Sequence, residues 1–368
     1  FIAMILFTII LICHNKIKLN YLNFSIFIFL LYLILNLLFS LLINNPINAI
    51  DEFTGYLTIL YIPIFSYYYK LHPSMFYHHT ILFRKMVFLL ALISIFVWGY
   101  AFITGPSSYT VIHQIMNDYS YGNFDFIGIY PRIFFKCSIF FFVGLFLHIN
   151  DWRDIDNKLV FFVKLSIYIF SILTTFTTSY YIFSVLVLII YSVINSKLSI
   201  MRIISYSLIA FIIFICIYNM GFIDILNSRF SGDYTWQYKF VQSMNLIKEI
   251  IKVPIFGSGL GHTLVINYGY TISESIYSFE VMWLQCLYHL GFVGFLLFCN
   301  IIIFTMQRLF HLYKVSRSNI PLVLFLSILY IIFVSFTNPY FNNTIGITFF
   351  SLCSSIPKQF ANYGRIRN

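Results

Sequence analysis

Apolar runs close to the length of a bilayer-crossing helix recur along the chain, separated by short polar breaks. This alternation predicts an all-α, polytopic membrane bundle rather than a soluble fold. An apolar stub over 1–12 is followed by runs at 22–43, 53–69, 86–103 and 133–149. The run over 159–194 is too long for one ordinary span. The polar hexad at 174–179 divides it into two spans joined by a tight turn. Further runs at 203–220, 279–306, 320–336 and 344–356 bring the expectation to about 11 spans. Pro63 falls inside the third run and is expected to kink it, because proline lacks a helix donor. Two intervals, 105–132 and 221–278, are too polar to lie in hydrocarbon, and the second is the longer.

Composition agrees with this pattern. Hydrophobic residues make up 60% of the chain and charged residues 9%, against about 25% charged in a soluble globule. Mean hydropathy is +0.88. The net charge of +10 raises nucleic-acid binding, but the basic residues sit in short loops between apolar runs, so no nucleic-acid partner is expected. Loops at 14–20, 70–85, 150–158, 195–202, 307–319 and 357–368 hold fifteen Lys and Arg, whereas the alternating set holds five. By the positive-inside bias, both long loops and the turns at 44–52, 174–179 and 337–343 face away from the cytoplasm, and the C-terminus lies in it. The six cysteines show no CxxC spacing, so neither a zinc site nor a disulfide framework is indicated. The sequence opens inside an apolar run without Met and is read as truncated there, with no cleavable signal peptide. The whole chain, 1–368, reads as one transmembrane domain carrying extracytoplasmic loops at 105–132 and 221–278.

Candidate chemistry concentrates in those two loops. Residues Trp236 to Ile251 have helical periodicity, with Trp236, Phe240, Val241, Met244, Ile247 and Ile251 on one side. That side suits either the membrane plane or packing over the bundle. Pro254 closes the helix, and the GSGLG that follows at 257–261 suits either a structural turn or close approach to a phosphate. It lacks the P-loop lysine, which argues against nucleotide binding. Arg132 and Arg229 offer planar donor forks matched to phosphate oxygens, or else snorkel to headgroups. Glu280 is the one acid inside an expected span, where charge is costly and usually faces a cavity. It suits a general base or a partner for Arg229; equally, it suits a helix N-terminus. Asp224, Asp233 and His262 are possible partners, and His289 reads as packing or polar-network.

Several stretches together resemble the O-antigen polymerase (Wzy) and O-antigen ligase superfamily, which builds bacterial surface polysaccharides. They are NSRFSGDYTW at 227–236, the helix that follows, PIFGSGLG at 254–261, EVMWLQCLYHLGFVG at 280–294 and the late NPY turn at 338–340. The match is strongest over 227–294. Ligase-like members commonly carry His-Asn before the span that follows the glycine turn; YSFE stands here at 277–280, which favours the polymerase branch. Asp233 stands where many members have a second arginine, so Arg132 or Lys239 would have to replace it.

The resemblance implies inverting glycosyl transfer without metal or other cofactor at the outer face of the bacterial inner membrane. The partners would be undecaprenyl-diphosphate-linked glycan donor and acceptor in the lipid bilayer, with a chain-length regulator and flippase of the same pathway. Taken with the residue chemistry above, Glu280, Arg229 and Asp233 are the expected catalytic residues. Diphosphate binding falls to Arg132, Arg229, Lys239, Gly257, Gly259, Gly261 and His262. A ligase transferring glycan to lipid A-core, and a non-enzymatic polysaccharide flippase or transporter, are the alternatives.

Overall fold

The computed structural model describes residues 21–118, 122–127, 129–150, 157–194, 235–266, 274–316, 318–341 and 343–357. The runs expected at 1–12 and 203–220 lie outside them, as do Asp224, Arg229 and Asp233. The regular elements among the described residues are helices, apart from two short antiparallel hairpins. Three helical stretches, Tyr21–Ile43, Pro73–Met116 and Met282–Val315, are long and apolar enough to cross a membrane. Apolar helices of 10–17 residues accompany them. The chain divides into two compact units, Phe1–Ile81 with Tyr238–Asn368, and Leu82–Gln237.

In the first unit, α1 (Tyr21–Ile43) is followed by α2 (Pro46–Leu57), a 3₁₀ turn (Thr58–Leu60) and α3 (Tyr61–Leu71). Asn45 caps α2 by accepting the Ile47 N–H, and Pro46 occupies the first turn, where its missing donor costs nothing. The helical run therefore starts earlier than the sequence suggests, and Glu52 lies on a helix rather than in a polar turn. The 3₁₀ tightening precedes Pro63 and includes Ile59, whose carbonyl a proline four residues later can neither bond nor easily approach. The long helix α4 (Pro73–Thr104) carries the chain into the second unit.

The C-terminal half of the first unit contains α9 (Thr235–Lys252), β3 (Leu264–Ile266), β4 (Glu274–Ile276), α10 (Met282–Val315), α11 (Ile320–Val334) and α12 (Thr344–Ser354). Phe29, Tyr56 and Phe298 pack ring on ring at 5.5–6.0 Å where α1, α2 and α10 meet. Arg308 closes the end of α12, donating to the carbonyls of Ser354 at 2.6 Å and Ile356 at 2.7 Å. The Ser354 carbonyl is one of the acceptors that a helix C-terminus leaves open, and Ile356 follows just beyond it.

Helix α10 is interrupted at Gly291, whose φ of 62° and ψ of −175° are not helical. In an unbroken helix the Phe292 and Val293 amides would donate to the Tyr288 and His289 carbonyls. Here the segment after α9 supplies all four partners. Phe292 and Val293 donate to Pro254 O (2.8 Å) and Ile255 O (3.1 Å), while Ser258 and Gly259 donate to Tyr288 O (2.8 Å) and His289 O (3.1 Å). Gly257 (φ 75°) and Gly291 sit back to back, and a Cβ on either would collide with the other's backbone.

In the second unit, α5 (Tyr109–Asp118) lies over a hairpin of β1 (Gly122–Ile127) and β2 (Tyr130–Phe135). Ala101, Ile112, Met116, Phe124 and Ile133 form the core there. The span expected over 133–149 is corrected accordingly. Its first residues pair as β2, with Asp125 opposite Arg132, and only α6 (Phe140–Asn150) is helical. The long run divides as its polar hexad suggested, into α7 (Lys158–Leu173) and α8 (Thr178–Ile194). Ile133 holds the turn between them by donating to Thr174 O at 3.0 Å.

Substituting Gly257 or Gly291 with alanine should lower stability by more than about 2 kcal/mol, because strained φ and collision add. Gly99→Ala in α4, where a Cβ meets nothing within 4 Å, should be neutral or slightly stabilising. Thermal unfolding in detergent compares the three.

Candidate functional site

Four residues of α1, each one turn apart, line up against the broken helix: Tyr32, Asn36, Ser40 and Asn44 follow α1 onto its end. The Tyr32 hydroxyl donates to Leu290 O and, at 3.1 Å, to Phe256 O. Asn36 accepts the Leu260 amide at 3.0 Å and donates to His289 O at 3.4 Å. Asn44 donates to Leu260 O at 3.1 Å and Ser258 O at 3.3 Å. This polar stripe on an otherwise apolar helix completes the bonding of an irregular loop held inside protein.

The loop ends on Glu52. Its carboxylate accepts the Gly261 amide at 2.7 Å and Gln285 Nε2 at 3.2 Å. His289 Nδ1 lies 2.7 Å away, and the two side chains are 3% and 0% exposed. A carboxylate this buried persists only where its oxygens are satisfied, as they are here. His289 Nε2 faces the His262 carbonyl at 3.1 Å, an atom that only accepts, so this nitrogen donates. The His262 ring in turn meets the Tyr288 hydroxyl at 2.7 Å. Partial burial lowers the pKa of His262, and the neighbouring His289 adds to the shift.

The same network reaches the loop before α10. Gln285 accepts the Phe279 amide at 2.9 Å, and Gln242 on α9 accepts the Glu280 amide at 3.2 Å. Glu280 therefore precedes the first helical residue, Met282, instead of lying inside a span. Its carboxylate pairs with Lys239 at 3.0 Å, with side chains 45% and 19% exposed. Lys239 also donates to Thr337 O at 2.8 Å, just beyond the end of α11. Leu246 and Ile250 bury α9 against Ile266, Phe279 and Tyr288. Phe240, Met244, Ile247 and Ile251 form an exposed apolar stripe on a different side of α9.

The residues singled out from sequence are thus distributed unevenly. Gly257, Gly259, Gly261 and His262 join one network with Glu52 and His289, while Lys239 and Glu280 form a neighbouring pair tied to it through Gln285. The amides of Ser258, Gly259, Leu260 and Gly261 all donate into the protein. Arg132, in the other unit, pairs with Asp125 at 3.2 Å and donates to Thr175 O at 3.2 Å. Arg229 and Asp233 fall outside the described residues. Family models, curated proteins and solved structures return no match to this chain. Among the described residues no group of three or more His, Cys, Asp or Glu is placed to hold a metal ion.

Sequence reasoning missed Glu52 as a partner. A signal was present: an acid lying just before an apolar run, and a histidine well inside another run. Opposite polar outliers in separate hydrophobic segments are candidates for one another.

Two consequences are measurable. Glu52→Ala should cost about 3 kcal/mol or more, since it strands buried donors, whereas Glu280→Ala should cost less than about 1 kcal/mol at a half-exposed pair. Denaturation of both variants in detergent tests the contrast. The folded chain also binds the His262 proton less readily than the unfolded chain does. Stability contributed by neutral His262 is therefore present above the ordinary histidine pKa and is lost as pH falls through and below it. Melting temperature should drop on acidification from about pH 7.5 to 5.5, with a shallower drop in His262→Gln.

Proposed function

We propose that this protein is a multi-pass membrane glycosyltransferase of the O-antigen polymerase kind. It would join lipid-diphosphate-linked oligosaccharide repeat units at the outer face of the bacterial inner membrane. The full topology in this reading has about 11 spans, with the loops over 105–132 and 221–278 outside and the C-terminus in the cytoplasm. The observation that carries it is the Lys239–Glu280 pair. A fixed cation and a half-exposed carboxylate sit at 3.0 Å where a loop helix meets the start of a membrane-length helix. These are the two charge types the reaction uses.

In the proposed reaction, a hydroxyl of one repeat unit attacks the anomeric carbon of another chain. Glu280 accepts the hydroxyl proton as the new C–O bond forms. The bond to the diphosphate oxygen breaks, and the bonding pair leaves with the lipid diphosphate, whose charge Lys239 stabilises. The proton then passes to solvent. Arg229 is a further candidate for the diphosphate, supported by its chemistry and by the sequence resemblance. The glycine segment and the Glu52–His289 pair act as supports that hold Phe279 and Glu280 in register with α9.

The glycan profile of a knockout tests the class. Lipid A-core bearing a single repeat supports polymerisation, unlinked long polymer indicates a ligase, and neither change removes both readings. Glu280→Gln should abolish long polymer while inserting and folding normally, and full-length polymer from that variant would exclude it as the base. Single cysteines at exposed positions of 105–132 and 221–278 should react with an impermeant reagent added outside the inner membrane.

A further inference from the structure

Among the described residues, the charged side chain within ion-pair distance of the Glu280 carboxylate is Lys239, at 3.0 Å. Lys239 is held from two sides. Thr337 O fixes its ammonium at 2.8 Å, and its own helix is fastened through buried Gln242 and Leu246. Apart from that ion pair, what holds Glu280 among the described residues is its backbone N–H, donated to Gln242 at 3.2 Å, and its side chain is 45% exposed. If the pair opens, the lysine therefore stays and the carboxylate moves. Glu52, another acid tied to this region, is fully engaged with Gly261, Gln285 and His289 and does not compete for the ammonium. A half-hydrated carboxylate carries one negative charge. A diphosphate offers more charge and several acceptor oxygens to the same ammonium.

We propose that a diphosphate displaces Glu280 from Lys239, so that the pair is a latch the donor substrate opens. This rests on the glycosyl-transfer reading above and deepens it, because it makes the general base available only once the leaving group is seated. Before donor binds, the carboxylate is occupied by its ion pair with Lys239. Afterwards the lysine lies on the diphosphate and the freed carboxylate faces the incoming hydroxyl. No bond is made or broken in the exchange itself; one anion replaces another on a single ammonium.

The latch makes an unusual demand of the base-deleted variant. Removing the carboxylate takes away a competitor, so Glu280→Gln should bind inorganic pyrophosphate about threefold tighter or more than the wild type in detergent. Lys239→Met should bind it about tenfold weaker or worse, and Lys239→Arg should stay within about threefold of wild type. Titration calorimetry on the four purified full-length proteins reads these values, with sodium sulfate at matched ionic strength as control. Unchanged or weaker binding by Glu280→Gln, wild-type binding by Lys239→Met, or equal competition by sulfate would each overturn the latch. If Glu280→Gln binds no tighter yet wild-type cells make polymer, the latch fails and the glycosyl-transfer reading stands. If Glu280→Gln binds tighter but a knockout leaves the surface glycan unchanged, the anion exchange stands and that reading fails.

Discussion

Backbone polar groups in an apolar setting must find partners inside the protein, and the interruption of α10 at Gly291 turns that demand into an architecture. Breaking one turn of a membrane-length helix frees two amides and two carbonyls. Each lost bond left unmade would cost several kcal/mol in hydrocarbon. The segment from Pro254 to Gly259 supplies all four partners, in the order the missing helical turn would have used. Its own remaining groups then need partners, and the polar stripe of α1 provides them. Glu52 closes the sequence by taking the last glycine amide and fastening α2 to α10 through His289.

Function, in the reading developed above, is positioned by this chain of requirements. The residues with fully buried ionisable side chains are not those proposed to meet substrate. Glu52 and His289 are enclosed and fully bonded, which suits a support. Lys239 and Glu280 remain partly exposed, which suits exchange with a ligand. Gln285 links the two layers with one amide group, accepting from Phe279 and donating to Glu52. Rigidity at the buried pair is thereby passed to the backbone beside Glu280. Two supports of different strength, one buried and one half-exposed, give a fixed lysine beside a movable carboxylate.

The role of the glycines follows from the same geometry. A glycine-rich turn after a helix invites a phosphate-cradle reading, because small residues let an anion approach the backbone. In this fold the close approach is by protein instead: Gly257 meets Gly291, and Gly261 meets the backbone of Asn48 and Ala49. Both approaches need residues without Cβ, and both glycines have positive φ. Sequence alone cannot tell which partner comes near.

The sequence by itself determined the helical class, the main helices, the division of the run over 159–194 and the end of α9 before Pro254. These follow from local periodicity and from residues whose backbone limits act within one turn. Tertiary structure alone decided that 133–135 belong to a hairpin, since strand pairing with 122–127 outweighs an apolar run. It also decided that Glu52 is buried and that His289, Gln285 and Gly261 surround it. It placed the exposed stripe of α9 away from the face that packs. Those outcomes depend on which distant segments fill one another's unsatisfied hydrogen bonds; polar outliers such as Glu52 and His289 mark candidates, but local pattern does not pair them.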